Sequence, residues 1–110
     1  MDSQKEIAFK EIDIHEAKTM IENEDVQVID SREEDEHQSG HVPGAINIPH
    51  METFSRISEI DTTKPILFIC KSGQRSAVAA EFAFAAGLKN DLYNVSGGHD
   101  AWIDSKYEIE

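Results

Sequence analysis

The sequence predicts an α/β domain in which helices flank a mostly parallel sheet, and three observations support this fold class. Short apolar runs typical of strands alternate with longer amphipathic stretches typical of helices. The run at residues 66–69 (ILFI) is continuously apolar, as expected of a strand buried on both faces. Residues 77–86 then hold six alanines, which favour a helix. Because no repeat or flexible linker interrupts the 110 residues, we expect one domain over residues 1–110.

The elements follow from local signals taken in chain order. The predicted strands cover residues 7–12 at an edge of the sheet, then 26–29, 46–48, 66–69 and 92–95. After the first strand, Asp13 and Glu16 have the spacing of a capping box, which predicts a helix over residues 13–23. After the second strand, residues 31–34 (SREE) repeat this pattern, and Gly40 is placed to end a short polar helix.

Three further helical patterns complete the chain. After Pro49, apolar residues recur at helical spacing and are expected to pack in the core: Met51, Phe54, Ile57 and Ile60. The alanine-rich stretch, which Gly87 is placed to end, predicts a mostly buried helix with its own apolar positions: Val78, Phe82 and Ala85. Beyond the last strand, Gly97 and Gly98 predict a turn that leads to a short helix over residues 100–105, where Trp102 is expected in the core.

The only cysteine, Cys70, lies where the predicted central strand meets the alanine-rich helix. Ligands of parallel sheets bind beyond the carboxyl ends of the strands, and the positive end of a helix favours a thiolate over a thiol. Gly73 allows a left-handed backbone in which successive N–H groups face an anion. Lys71 and Arg75 add two cations to this turn. The alternative is a buried, inert cysteine, but the polar turn directly after Cys70 favours a reactive thiol.

Composition restricts the classes of function. One cysteine cannot form an internal disulfide, a paired-thiol redox site or a cysteine zinc site, so we expect a reducing compartment and no cofactor or metal. A net charge of −12 disfavours nucleic acids and acidic membranes as partners, because it repels polyanions. No apolar signal segment opens the sequence and no run approaches membrane-spanning length, so we expect a soluble cytoplasmic protein.

Three motifs, in order and at family spacing, resemble those of rhodanese domains. The N-terminal hallmark is matched by VIDSR (28–32), GHVPGA (40–45) and NIP (47–49), the active-site loop by CKSGQR (70–75), and the C-terminal hallmark by NVSGG (94–98) through Trp102. The resemblance implies a single-domain rhodanese with a small sheet flanked by helices. Two departures, Ser31 and His37, are expected to concern packing alone.

The resemblance also implies roles for individual residues. Cys70 would be the nucleophile and would carry a sulfane sulfur as a persulfide. The loop that follows would bind the substrate through its backbone N–H groups and two cations: Lys71, Ser72, Gly73, Gln74 and Arg75. Asp30, Arg32 and His41 match positions that tie loops to the sheet, and His41 is interpreted as a hydrogen-bonded loop residue rather than a catalytic base.

The implied activity is a thiosulfate sulfurtransferase (rhodanese) reaction. A small anionic sulfur donor such as thiosulfate would load Cys70, and cyanide or a thiol would take the sulfur away. A protein persulfide is a further candidate partner. Two alternatives stay open. One is a non-enzymatic sulfur-carrier or redox-regulatory module. The other, less favoured, is a cysteine phosphatase: those enzymes place Arg six positions after Cys, whereas Arg75 is five positions after Cys70.

Overall fold

A five-stranded, entirely parallel sheet organises the protein in the computed structural model, which describes residues 7–110. Its strands are β1 (Lys10–Ile12), β2 (Gln27–Asp30), β3 (Ile46–Asn47), β4 (Ile66–Ile69) and β5 (Leu92–Val95). Their spatial order is β1-β5-β4-β2-β3, so β4 is central and β1 lies at an edge, both as predicted. All four residues of β4 are buried. The predicted α/β class with a parallel sheet is therefore confirmed.

The described residues form four α-helices: α1 (Ile14–Asn23), α2 (Glu34–Gln38), α3 (Gln74–Ala85) and α4 (Gly98–Asp104). The capping box predicted for α1 is present, since Asp13 and Glu16 each accept a hydrogen bond from the backbone N–H of the other. The capping box of α2 instead joins Glu33 to Glu36, two residues later than predicted. Ser31 cannot start the helix, because it is fully buried and its N–H extends the sheet by donating to the carbonyl of Ile69.

The apolar stripe predicted between residues 51 and 60 does not form one core helix. Two 3₁₀ turns, His50–Glu52 and Ile57–Glu59, take its place. Met51 and Phe54 are 71% and 51% exposed, which makes their predicted core position wrong, whereas Ile60 is buried. The chain bends between the turns at Arg56, whose φ and ψ of −116° and 19° are not helical, so the two halves of the stripe face different directions.

Helix α3 buries a different face from the one indicated by its larger apolar residues. Its buried residues are Ser76, Ala79, Ala80 and Ala83. Val78 and Ala85, expected inside, are exposed, and Phe82 is half-buried and packs on Phe54 with ring centroids 5.0 Å apart. Small side chains let the helix approach the sheet closely, and they therefore occupy the contact face.

Apolar clusters lie on both faces of the sheet. One includes Trp102, which is 3% exposed as predicted, together with α1 residues; the other includes Phe68 of β4 and the α3 alanines. Between residues 7 and 110, no helix has the length and apolar character that crossing a membrane requires.

Candidate active site

Cys70 directly follows β4 and lies at the start of a tight loop that leads into α3. Gly73 adopts a left-handed φ of 109°, as predicted, and directs its N–H to the sulfur, with 3.1 Å between N and Sγ. The Ser76 hydroxyl oxygen lies 3.3 Å from the same sulfur. The loop therefore surrounds Sγ with groups that can donate hydrogen bonds to an anion.

Cys70 is at once buried and hydrogen-bonded, since it exposes only 1% of its surface. Burial raises the pKa of its thiol, but hydrogen bonds from the Ser76 hydroxyl and from the N–H groups of Ser76, Gly73 and Ser72 outweigh it. The pKa of Cys70 consequently lies below the ordinary value for a thiol. The site combines the burial expected of an inert cysteine with the hydrogen-bond donors expected of a reactive one.

Both loop cations are paired with carboxylates from distant elements, which the sequence did not indicate. Arg75 donates to both oxygens of Glu36 in α2, at 2.7 and 2.9 Å. Lys71 lies 3.0 and 3.1 Å from the two oxygens of Asp100 in α4. Hydrogen bonding to Arg75 lowers the pKa of Glu36 to about 2, so this pair stays charged well into acid. Both predicted cations are present, and each is paired with a carboxylate that lies outside the turn.

The remaining predicted loop residues, Ser72 and Gln74, have exposed side chains. Gln74 is the first residue of α3, and Ser72 precedes the buried Gly73. The five predicted substrate-binding residues form the loop that directly follows Cys70 and the first two residues of α3. Only two of them, Ser72 and Gly73, contribute N–H groups that lower the pKa of its thiol.

The first turn of α4 holds the beginning of the cysteine loop through main-chain atoms. The N–H groups of His99 and Asp100 donate to the carbonyls of Cys70 and Lys71, at 2.8 and 3.0 Å. A Cβ on Gly98 would lie 2.4 Å from the Cys70 carbonyl oxygen, so only glycine allows this approach. Gly98, the second glycine of the predicted turn, therefore allows α4 to lie against the start of the cysteine loop.

A buried ion pair between Asp30 and Arg32 connects the end of β2 to α4 and the cysteine loop. Asp30, which is fully buried, accepts hydrogen bonds from Arg32 at 2.7 and 3.0 Å and from His37 at 2.9 Å. Burial raises the pKa of Asp30, but the bonds from Arg32 and His37 lower it more. Arg32 also contacts His99 at 3.3 Å, and His99 Nδ1 lies 3.0 Å from the Cys70 carbonyl. Because it bonds to Asp30, His37 contributes more than packing, which corrects the expectation for that position.

His41 contacts α2 and the end of the chain. Its ring stacks on His37 with centroids 3.7 Å apart, and Nδ1 lies 2.8 Å from the His37 carbonyl. Its backbone exchanges two hydrogen bonds with Glu110. These contacts agree with the interpretation of His41 as a loop residue.

The sequence did not indicate that five residues contact the cysteine loop: Glu36, Ser76, Asn94, His99 and Asp100. Each reaches the cysteine loop through a contact between segments distant in the chain or, for Ser76, from the far side of the loop. The strand order offers a partial signal, since every element after a parallel strand starts at the same edge of the sheet. Within residues 7–110, no three His, Cys, Asp or Glu side chains cluster as metal ligands.

The sequence and the fold are both similar to those of known proteins. A family model described as "Rhodanese-like domain" matches residues 13–105. The chain is 31% identical over 96 residues to the thiosulfate sulfurtransferase GlpE of Pseudoalteromonas translucida, covering 87% of this chain and 90% of that protein. It is 31% identical over 99 residues to the putative sulfur carrier protein YrkF of Bacillus subtilis, covering 89% of this chain and 54% of that protein. A solved rhodanese-related protein from Thermoplasma volcanium matches with a TM-score of 0.80 and 29% identity, covering 93% and 98% of the two chains.

Proposed function

The chain belongs to the rhodanese-like family, and from this premise we propose that it transfers a sulfane sulfur through a persulfide on Cys70. The observation that carries the proposal is the set of hydrogen-bond donors around Sγ, which lowers the pKa of the only thiol in the chain. A thiolate is the nucleophilic form of cysteine, and an ionised nucleophile needs no separate base.

The proposed reaction has two steps that return the protein to its starting state. The Cys70 thiolate attacks the outer sulfur of thiosulfate; a new S–S bond forms, the S–S bond of thiosulfate breaks, and its electron pair leaves with sulfite. A nucleophile such as cyanide or a thiolate then attacks the outer sulfur of the persulfide. That sulfur leaves as thiocyanate or as the acceptor's persulfide, and the electron pair of the broken bond restores the Cys70 thiolate.

The loop supports both steps through fixed groups. The N–H groups of Ser72, Gly73 and Ser76 hold negative charge on sulfur without reorganising, in the manner of an oxyanion hole. Because Cys70 exposes only 1% of its surface, donor and acceptor reach Sγ past the exposed side chains of Lys71, Ser72 and Gln74. In our proposal these side chains contact the substrates, together with the guanidinium of Arg75.

Mass spectrometry after incubation with thiosulfate tests the proposal directly. We expect a gain of one sulfur that maps to Cys70 and disappears when cyanide is added, with one thiocyanate released per loaded protein. Cys70→Ser is the control and should gain no mass. Absence of the added sulfur on the unmodified protein would refute the persulfide.

A sulfur carrier without catalytic turnover is the second candidate, and the relative named as a putative sulfur carrier favours it. The carrier would load Cys70 as above but would release sulfur only to a dedicated acceptor. Steady-state turnover with excess thiosulfate and cyanide separates the two candidates. A phosphatase is disfavoured because Arg75 lies five positions after Cys70, one fewer than in cysteine phosphatases.

The Glu36–Arg75 ion pair leads to a prediction about the donor. An anionic donor has to compete with Glu36 for Arg75, so Glu36→Gln should lower the KM for thiosulfate about fivefold, equivalent to about 1 kcal/mol. Arg75→Ala should raise that KM. The matched control is Asp35→Asn, which removes the same charge from an exposed position of the same helix. Equal KM values for Glu36→Gln and the unmodified protein would remove Arg75 from donor binding.

A further inference from the structure

Asn94 of β5 lies beside the cysteine loop and is 2% exposed. Its register partner in the sheet is Glu11 of β1. The Asn94 side-chain nitrogen lies 3.0 and 3.1 Å from the two Glu11 carboxylate oxygens and 3.0 Å from the carbonyl of Gly73. Both N–H bonds of the amide therefore have acceptors. The opposite amide orientation would place Oδ1 against a carboxylate and a carbonyl, so the orientation is fixed.

With its nitrogen so placed, Asn94 presents Oδ1 to Ser76. The Ser76 hydroxyl oxygen lies 2.5 Å from Oδ1 and 3.3 Å from the sulfur of Cys70. A hydroxyl has one proton and can donate it to one of these acceptors at a time. Ser76 is fully buried, so no solvent hydrogen bond replaces the one that is given up.

Each position of that proton suits one ionisation state of Cys70. When Ser76 donates to Asn94, its oxygen can only accept from the sulfur, which requires a thiol S–H. When Ser76 donates to the sulfur, it stabilises a thiolate but leaves the buried Oδ1 of Asn94 without a donor from residues 7–110. A buried acceptor left unpaired is costly, and a hydrogen bond to an anion is stronger than one to a neutral group.

We propose that Asn94 and Ser76 form a two-position hydrogen-bond switch, in which Ser76 favours the Cys70 thiolate and Asn94 opposes it by competing for the Ser76 proton. Asn94 is a positioning residue: in the switch it acts on the sulfur through Ser76, and separately it holds the carbonyl of Gly73. The inference deepens the proposed function, since it concerns the same nucleophile. It implies that a site built to hold a thiolate also contains a fixed acceptor that returns the resting protein toward the thiol.

Other charged groups near Cys70 remain in place when the switch is altered. They are Lys71 and Arg75 in its loop, Glu11 in β1, Glu36 in α2, and His99 and Asp100 in α4. Substitution of Ser76 or Asn94 by a neutral residue leaves all of these charges unchanged. A resulting shift in the titration of Cys70 therefore reports hydrogen bonds: for Ser76 those of the switch, and for Asn94 also the bond to the Gly73 carbonyl, which the double variant separates.

The test is the pH dependence of the ultraviolet absorbance of the Cys70 thiolate, measured without any sulfur donor. The curve of Cys70→Ala is subtracted to remove the tyrosines. Ser76→Ala should move the midpoint to higher pH, whereas Asn94→Leu, which keeps the branching and the number of side-chain heavy atoms, should move it to lower pH. Each shift should change the thiolate-to-thiol ratio at a fixed pH about tenfold, the effect expected of one hydrogen bond to a charged group.

The double variant Ser76→Ala/Asn94→Leu makes the test specific. Asn94→Leu should have no further effect when Ser76 is absent, because Asn94 acts through the Ser76 hydroxyl. A shift to higher pH in Asn94→Leu, no shift at all, or an equal shift in both backgrounds would overturn the switch.

Two controls keep folding and function separate from this result. Thermal unfolding identifies any variant that is not folded at the assay temperature, and Asn94→Ala then replaces Asn94→Leu with the same expected direction. Asn90→Ala removes an asparagine that braces the carbonyls of Asp61 and Lys64, and it should leave the midpoint unchanged. The titration contains no sulfur donor, so opposite shifts of the midpoint in Ser76→Ala and Asn94→Leu support the switch even if the persulfide test fails. If the persulfide forms but both variants shift the midpoint in the same direction, only the switch is rejected.

Discussion

Cys70→Ala is expected to reduce the transfer of sulfur from thiosulfate to cyanide to the rate without protein. No second thiol exists in the 110 residues, so no other side chain can carry the sulfur as a persulfide. The hydrogen-bond donors around the missing sulfur would remain, but they stabilise charge and do not form a bond to sulfur. The measurement is thiocyanate formation at saturating concentrations of both substrates.

The control for this variant is its stability. Alanine leaves a small cavity at a buried position, and we expect a loss of only about 1 kcal/mol in the free energy of unfolding. Circular dichroism before and after thermal unfolding checks that the fold is retained. Residual turnover clearly above the rate without protein, in a folded Cys70→Ala variant, would exclude the persulfide mechanism.

Arg32→Ala should lower the free energy of unfolding by about 3–5 kcal/mol at neutral pH, because it leaves the buried carboxylate of Asp30 without its main partner. Urea denaturation measures this loss. Arg56→Ala provides a matched control, since its ion pairs with Glu52 and Glu59 lie at the surface and should contribute less than about 1 kcal/mol.

The pH dependence of the same experiment follows from the lowered pKa of Asp30. A carboxyl group whose folded pKa lies below its unfolded value stabilises the protein above the unfolded pKa, about 3.9, and loses this contribution as pH falls through the folded pKa. In Arg32→Ala the Asp30 pKa should rise, so protonation relieves the buried charge. The stability deficit of the variant should therefore shrink between neutral pH and pH 4–5. A deficit below 1 kcal/mol at neutral pH would contradict the structural role of the pair.

The sequence predicted the centre of this protein well because its signals there are local. A continuously apolar run, a single thiol, a glycine and an alanine-rich helix follow one another directly, and the structure places Cys70 between β4 and α3 as expected. The hydrogen bond from Gly73 to the sulfur also follows from neighbouring residues. These features required no knowledge of how distant segments pack.

The electrostatic setting of the loop could not be predicted because it depends on such packing. Glu36 lies 39 positions before Arg75, and Asp100 lies 29 positions after Lys71. No pattern within the loop indicates that both cations are paired. Likewise, Asn94 was recognised as part of a motif, but its contact with Ser76 arises from the pairing of β5 with β4 and the path of α3 over the sheet.

Apolar spacing also failed to tell which side of a segment faces inward. Met51 and Phe54 repeat at helical spacing and yet point outward, because the chain bends at Arg56. In α3 the alanines, rather than Val78, contact the sheet. The spacing of apolar residues indicates that a helix has a buried face. Whether large or small residues occupy that face depends on the distance between the helix and the sheet.

The anchoring of the cysteine loop through its carbonyls has a consequence for which of its residues can be substituted. The main-chain carbonyls of Cys70 and Lys71 accept hydrogen bonds from α4, and the carbonyl of Gly73 accepts one from the Asn94 side chain. The path of the loop is therefore independent of the side chains at positions 71, 72 and 74. Substitutions at those outward positions should therefore leave the shape of the loop around Cys70 unchanged.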